Sequence, residues 1–185
     1  MREEIKAYLV QQYQGIPQYV FEIAGLVFVV GSLLILLLWG FPKGWRKTGL
    51  LLLVEYLGLI YCSTIVFRRT IENLPVKIIP FERYAKVING TRDHVEPELL
   101  MNVLVFIPVG LLLATTFKDI KWRQTLLVGL GLSLSIEVLQ FCFSKGTVEI
   151  DDVIHNVAGC MIGYGLNQLI KIGYEKVSKR RVGVL

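Results

Sequence analysis

Long apolar segments, each nearly free of charged residues, recur along this chain of 185 residues. About 20 apolar residues in a helix cross the hydrocarbon core of a bilayer, and a helix satisfies its backbone hydrogen bonds within itself. The segments that meet this condition run over residues 19–39, 48–67, 99–117, 124–143 and 153–170. The sequence therefore predicts an all-α, polytopic membrane helical bundle with about five transmembrane helices.

Polar segments flank and connect these spans within one transmembrane domain, residues 19–170. Residues 1–18 mix polar and aromatic side chains at helical spacing, which is typical of an interfacial segment. The connection 70–97, between the second and third spans, is the longest and contains three prolines. A connection of this length in so small a protein indicates a functional loop or cap. Residues 171–185 form a basic tail.

The distribution of charge favours a membrane environment over a nucleic-acid partner. The net charge is +5, but the Lys and Arg residues lie between apolar runs and in the tail, so lipid headgroups are the expected anionic neighbours. The surface with the two short basic connections and the tail holds 11 Lys or Arg residues, and the opposite surface holds 9. Because basic residues favour the cytoplasmic side, we expect the N-terminus outside, the C-terminus in the cytoplasm and loop 70–97 extracytoplasmic.

Polar side chains cluster where the fourth and fifth spans meet. Glu137 and Gln140 share a helix face with Ser133, and Asp152 shares a face with Asn156. A carboxylate at helix-centre depth costs about 2.5–3.5 kcal/mol on insertion scales, so it indicates a buried partner, a water-filled cavity or a function. The predicted binding residues are Asn102, Glu137, Gln140, Asp151, Asp152 and Asn156, with Arg68, Arg69, Arg83 and Lys145 as basic residues at the rim.

Two other interpretations use the same residues. As structural groups, they would lock the fourth and fifth spans together by hydrogen bonds of about 0.6–2 kcal/mol each. As an enzyme site, Glu137 and Asp152 would act as general acid and base, or would bind magnesium with Asp151 and Asn156. The sequence contains no recognised catalytic signature, zinc-ligand spacing or phosphate-binding glycine loop. We therefore favour binding over catalysis and expect no cofactor and no resident metal.

Four further positions are expected to shape the helices. Pro108 removes a backbone donor from the third span, and Gly110 permits close approach of a neighbouring helix. Gly159 and Gly163 form a GxxxG pattern in the fifth span, which indicates close helix packing and is compatible with a homo-oligomer.

Three segments, NVLVFIPVG, IEVLQ and KGTVEIDDVIHNVAGCMIG, follow the order and spacing of the VanZ-like membrane protein family. The chain resembles that family from about residue 80 to residue 165. Where many members have an Arg before the acidic pair, this chain has Lys145, Gly146 and Thr147, and a lysine cannot replace a bidentate guanidinium. Carried over by position, the polar residues of the family motif fall on Asn102, Glu137, Gln140, Asp152 and Asn156.

This resemblance implies a bacterial cell-membrane protein that lowers susceptibility to teicoplanin and related lipid-bearing glycopeptide antibiotics. Our leading hypothesis is that it binds or alters a lipid-linked cell-envelope component at the outer leaflet, through the polar cluster. The expected partners are membrane lipids, with a lipid-linked wall component or the lipoglycopeptide itself as the ligand. The alternatives are a membrane enzyme that acts on a lipid-phosphate or lipid-sugar substrate, and a structural or partner-binding protein of envelope homeostasis.

Overall fold

The computed structural model describes residue 3, residues 45–90 and residues 97–182. The helices in this part are α1 (Trp45–Tyr61), α2 (Glu82–Ile88), α3 (Pro97–Thr116), α4 (Trp122–Cys142) and α5 (Ile150–Val182). A π-helical turn, Cys62–Val66, extends α1, and two short strands, β1 (Val76–Lys77) and β2 (Val148–Glu149), pair in parallel. The described part of the protein is thus mostly helical, as the sequence predicted.

Three helices in the described part are long and apolar enough to cross a membrane: residues 46–66, 98–116 and 122–142. They coincide closely with the predicted second, third and fourth spans. The predicted fifth span lies inside α5, which is more polar because it contains His155, Asn156 and Asn167 and continues to Val182. The predicted first span, 19–39, lies outside the described residues, as does most of segment 1–18. The count of five spans therefore stays a prediction.

The backbones of α3 and α5 approach each other closely at the centre of the bundle. A Cβ atom on Gly163 would lie 1.9 Å from the carbonyl oxygen of Ile107, and one on Gly110 would lie 1.8 Å from that of Cys160. Gly159 meets α3 in the same way. Because any Cβ would overlap backbone atoms, only glycine permits this distance. The GxxxG pattern is therefore used within the chain, against the α3 segment from Val103 to Leu111, which contains Pro108.

Helix α3 lies between α1 and α5, and α4 packs against α5. Large apolar side chains on the outer faces of these helices, such as Val54, Leu104 and Val138, are exposed. Lipid covers such a surface when the helices cross a membrane. The inner faces form one hydrophobic core, which consists of Leu53, Ile60, Phe106, Val109, Leu113, Ile136 and Cys160.

The described part of the long connection folds onto the turn between α4 and α5. We call residues 67–90 the cap. Val76 pairs with Val148 across the two strands, and the Ile71 amide donates to the Ser144 carbonyl at 2.8 Å. The cap thus contains a strand and a helix and is attached to residues about 70 positions later in the chain.

We expect Gly163→Leu to lower the stability of the bundle, because the side chain would collide with the α3 backbone. The loss should reach or exceed the upper end of the roughly 1–3 kcal/mol that overpacking costs. Thermal unfolding of the purified protein measures it. Gly131→Leu is the matched control, since Gly131 lies on the exposed face of α4 with nothing within 4 Å of an added Cβ. Equal stability of the two variants would contradict the assigned contact.

Candidate functional site

A polar cavity lies at the end of the bundle that carries the cap. Its volume is about 110 Å³. The walls come from the end of α1, the π-helical turn at 62–66, the start of the cap, α3, α4 and the first two turns of α5. The lining side chains are Ile60, Ser63, Thr64, Arg68, Met101, Asn102, Val105, Phe106, Ile136, Glu137, Gln140, Asp152 and Asn156.

Three of these side chains carry a buried polar atom with no hydrogen-bond partner in the described part of the chain. The atoms are Asn102 Nδ2, Gln140 Oε1 and Asp152 Oδ1, and they belong to α3, α4 and α5. Gln140 is 1% exposed and Asp152 is 5% exposed. A buried polar group left in this condition costs about 1–3 kcal/mol. Three helices thus each direct an unsatisfied group toward one space.

The helical spacing that the sequence shows positions the other polar residues of the cavity. Ser133, Glu137 and Gln140 lie on the buried face of α4. Asn156 Nδ2 donates to Ser133 Oγ at 2.9 Å, and the backbone N–H of Glu149 donates to Glu137 Oε2 at 3.0 Å. These contacts link α4 to α5 and to β2, and they hold two lining side chains in fixed orientations.

The π-helical turn at 62–66 forms the wall on the α1 side. The hydroxyls of Ser63 and Thr64 both donate to the carbonyl oxygen of Ile60, at 2.9 and 2.7 Å. The carbonyl oxygen of Thr64 in turn accepts from Gln140 Nε2 at 3.1 Å. Because their protons are directed to the backbone, both hydroxyl oxygens remain able to accept a hydrogen bond from a ligand. Such π-helical turns occur often at functional sites.

Alternating charges connect the cavity wall to the cap. Arg68 Nη2 donates to Glu98 Oε1 at 2.6 Å, and Arg83 Nη1 donates to Glu98 Oε2 at 3.2 Å. Arg83 Nη2 also pairs with Glu149, which accepts from Lys77 Nζ at 2.8 Å. Arg83 and Glu149 are buried, and removing one partner of a buried ion pair costs about 3–5 kcal/mol. This network fixes Arg68 at the cavity wall and balances its charge.

A carboxylate of α5 supports the start of α2. Phe81 has φ = 61°, in the left-handed region that bulky side chains rarely adopt. Its backbone N–H donates to Asp151 Oδ1 at 2.7 Å, and its carbonyl oxygen accepts from the Ala85 amide at 3.0 Å. Asp151 therefore stabilises an uncommon backbone conformation in the cap.

A second contact joins α2 to α5. His155 Nδ1 contacts the Asp151 carbonyl oxygen, which can only accept, so Nδ1 carries a proton. In the neutral imidazole Nε2 then accepts from the Tyr84 hydroxyl at 2.7 Å. Burial raises the pKa of the Tyr84 hydroxyl, and the charge of Asp151 adds to this rise, so the hydroxyl keeps its proton. His155 thus contacts the cap.

The structure brings six of the ten predicted binding residues to the cavity and leaves four outside its lining. The four outside have different positions: Asp151 supports the cap, Arg83 is buried in ion pairs, Arg69 is exposed and Lys145 is half-buried. Of the four basic residues, Arg68 is the one whose side chain lines the cavity in the described part of the chain. The six that line the cavity are Arg68, Asn102, Glu137, Gln140, Asp152 and Asn156.

Sequence reasoning missed two carboxylates, Glu98 and Glu149. They are the reason that Arg83 is buried, because a buried guanidinium needs compensating negative charge. Arg83 precedes Glu98 by 15 positions and Glu149 by 66, so no helical spacing relates these residues. The only sequence signal is that the segments next to the apolar spans contain both acidic and basic residues.

The side chains of the cavity suit the binding of a small polar group. They supply carboxyl, carboxamide, hydroxyl and guanidinium groups within an apolar wall, which is the usual composition of a ligand site. Among the described residues, no group of three or more His, Cys, Asp or Glu side chains is arranged to hold a metal ion. The hydroxyl of Ser63 donates to a backbone carbonyl rather than to a general base.

Comparison with known proteins gives two matches. The model of the VanZ/LLP1 family matches residues 23–171. Protein VanZ of Enterococcus faecium is 44% identical over 73 residues, which are 38% of this chain and 45% of that protein. The chain thus matches less than half the length of this relative, and no solved structure matches significantly. Three helices of the described part are suited to cross a membrane, and the family match, which includes every residue of the cavity, extends over most of the chain. The chain is therefore a helical membrane protein that belongs to the VanZ/LLP1 family.

Proposed function

We propose that this protein acts in the outer half of a bacterial cell membrane, where it lowers susceptibility to teicoplanin-type lipoglycopeptide antibiotics. It does so by binding a lipid-linked component of the cell envelope, whose polar end occupies the cavity. The observation that carries this proposal is the set of unpartnered buried atoms on Asn102, Gln140 and Asp152, which line the same cavity from three helices.

A purely structural role explains only part of the cluster. The contacts of Asn156 with Ser133 and of Glu137 with the Glu149 amide lock helices together, as a structural role requires. Nearly all buried polar side chains in native proteins have a hydrogen-bond partner. Atoms that lack one inside a cavity are therefore better explained by a ligand that supplies the partner.

The position of the cavity suits the headgroup end of a lipid. Glu137 lies about 8 Å along the helix axis from the C-terminal end of α4, at 1.5 Å per residue. Arg68 follows the π-helical turn within two residues, and Asp152 is in the first turn of α5. Because these residues lie near the ends of apolar helices, they lie close to the depth at which the hydrocarbon core meets the headgroups.

The distribution of charge supports an outer-leaflet position for this end of the bundle. The opposite end of the bundle carries the basic connection between α3 and α4. Helix α5 starts at the cavity end, so the basic tail at its C-terminal end lies on the same side as this connection. Short basic segments favour the cytoplasmic side. In this orientation, the cap and the cavity face the outer leaflet, and the C-terminus is in the cytoplasm.

Family membership supports the antibiotic part of the proposal. The resemblance to VanZ-like proteins implies reduced susceptibility to teicoplanin, and the family match contains the whole cavity. The similarity to Protein VanZ extends over 45% of that relative, so its activity is proposed for this chain and not transferred to it.

We expect expression of the protein in a sensitive Gram-positive host to raise the inhibitory concentration of teicoplanin. Asp152→Asn should abolish most of this protection, because it replaces one carboxyl oxygen of a buried lining side chain with an NH2 donor while keeping its size. A lost hydrogen bond to a charged group is worth about 1.5–3 kcal/mol, or roughly tenfold or more in affinity. Susceptibility is measured at matched membrane abundance.

Asp119→Asn is the matched control for this experiment. It makes the same chemical change at an exposed position between α3 and α4, far along the chain from every residue that lines the cavity. Full protection by Asp119→Asn with loss in Asp152→Asn supports the site. Full protection by a correctly folded Asp152→Asn variant would show that the cavity is not the functional site.

The proposed orientation predicts which exposed positions react with a membrane-impermeant maleimide. In a variant without Cys62, Cys142 and Cys160, Ile88→Cys in α2 should be labelled in intact cells. Lys176→Cys in α5 should be labelled only after the cells are permeabilised. Both native side chains are exposed, so accessibility depends on the side of the membrane. The reverse pattern would place the cavity at the inner leaflet and contradict the proposal.

A further inference from the structure

We propose that the group bound in the cavity is a primary ammonium with an oxygen acceptor a few bonds away, as in the ethanolamine headgroup of a phospholipid. The inference rests on the proposed function, since it names the chemistry of the ligand that the same cavity binds. It follows from three properties of the described lining residues: their unmet hydrogen bonds, their charge and the volume that they enclose.

The unmet hydrogen bonds require more donors than acceptors from the ligand. Within the described ranges, Asp152 Oδ1 and Gln140 Oε1 are acceptors without a donor, and Asn102 Nδ2 is a donor without an acceptor. A primary ammonium provides three N–H donors. Two of them would satisfy Asp152 and Gln140, and the third is left for a hydroxyl oxygen of Ser63 or Thr64, which line the same cavity. An oxygen near the ammonium accepts from Asn102.

The charge of the lining residues also favours a cation. Glu137 and Asp152 are the carboxyl side chains of the lining, and Arg68 is the only basic one among the residues that the structure places there. Arg68 already shares its charge with Glu98 at 2.6 Å. Burial without a partner disfavours the charged form of a carboxyl, and an ammonium inside the cavity stabilises that form. A phosphate or carboxylate ligand would instead add negative charge and leave the acceptors on Asp152 and Gln140 without donors.

The volume limits the size of the group. An engineered cavity of about 150 Å³ binds benzene, so a cavity of about 110 Å³ accommodates a group of at most about that size. An ammonium on a two-carbon arm is of this size, whereas a complete lipid or a disaccharide is not. The rest of a lipid-linked ligand therefore has to lie outside the cavity, along the apolar surface of the helices.

Retention of lipids by the purified full chain tests this inference. The protein is equilibrated with equal amounts of phosphatidylethanolamine, phosphatidylcholine and phosphatidylglycerol that carry the same acyl chains, and the bound lipids are counted by native mass spectrometry. Phosphatidylcholine keeps the positive charge but has no N–H donor, and phosphatidylglycerol has no amine. We expect phosphatidylethanolamine to be retained about tenfold over phosphatidylcholine.

Variants of the lining residues test whether a preference for one lipid arises from the cavity. Asp152→Asn should reduce the preference for phosphatidylethanolamine to near unity, and Asp119→Asn should leave it unchanged. Asn102→Leu, which removes the Nδ2 donor at nearly constant size, should reduce the amount of phosphatidylethanolamine retained by about threefold, and it provides a second test if Asp152→Asn does not fold. Equal retention of the three lipids by wild type would overturn the inference. An unchanged preference in folded Asp152→Asn, or unchanged retention of phosphatidylethanolamine by folded Asn102→Leu, would do the same.

Competition with free ethanolamine tests whether the bound ammonium has to belong to a lipid or can belong to a soluble amine. Displacement of phosphatidylethanolamine by ethanolamine would support the ammonium and show that a soluble amine can occupy the site. A preference that persists in excess ethanolamine would support the ammonium and show that the lipid chains are required. Preference for phosphatidylglycerol would overturn the inference, because it would show that the cavity selects an anion.

A negative result in the lipid experiment and a negative result in the antibiotic experiment reject different proposals. Protection that depends on Asp152, with no preference for phosphatidylethanolamine, would reject the ammonium and leave the proposed function in place. A clear preference in a protein that gives no protection would reject the proposed function and keep the assignment of the ligand chemistry.

Discussion

The cavity depends on the close contact between the backbones of α3 and α5. Gly110 and Gly163 let these helices touch without side chains between them, about 12 Å along α3 from Asn102. The close approach of the two helices limits how far Asn102 of α3 lies from Asp152 of α5, which both line the cavity. Gly129 of α4 packs on Cys160 of α5 in a similar way, with an added Cβ at 3.1 Å from the sulfur. The site is thus formed by helix packing at positions that do not line it.

Ion pairs fix the position of the cap relative to these helices. Arg83 reaches from α2 to Glu98 at the start of α3 and to Glu149 of β2, so one guanidinium joins three parts of the chain. Each of the two carboxylates contacts two cations, and their charges are compensated although they are largely removed from water. The position of Arg68 at the cavity therefore depends on residues of the cap. The packing of α3 on α5 and the binding of the cap determine different walls of one site.

The sequence predicted the elements whose signals are local. Apolar runs marked three helices that are suited to cross a membrane, and intervals of three and four residues placed Glu137 with Gln140 and Asp152 with Asn156 on common faces. It did not predict that Arg83 would be buried, because its partners are distant in sequence and only the folded chain brings them together. The π-helical turn also lacked a signal, since an i→i+5 hydrogen bond depends on packing around the turn rather than on its composition.

The attachment of the cap has a consequence for the order in which the protein assembles. The segment that contains β1 is synthesised before α4 and α5, yet its strand partner is β2, which lies between those two helices. Chains are made from the N-terminus, and contacts between distant segments wait until both are present. The cap must therefore remain undocked at the membrane surface until α4 and the start of α5 have been translated and inserted. The polar walls of the cavity accordingly come together only after α4 and the start of α5 are in place.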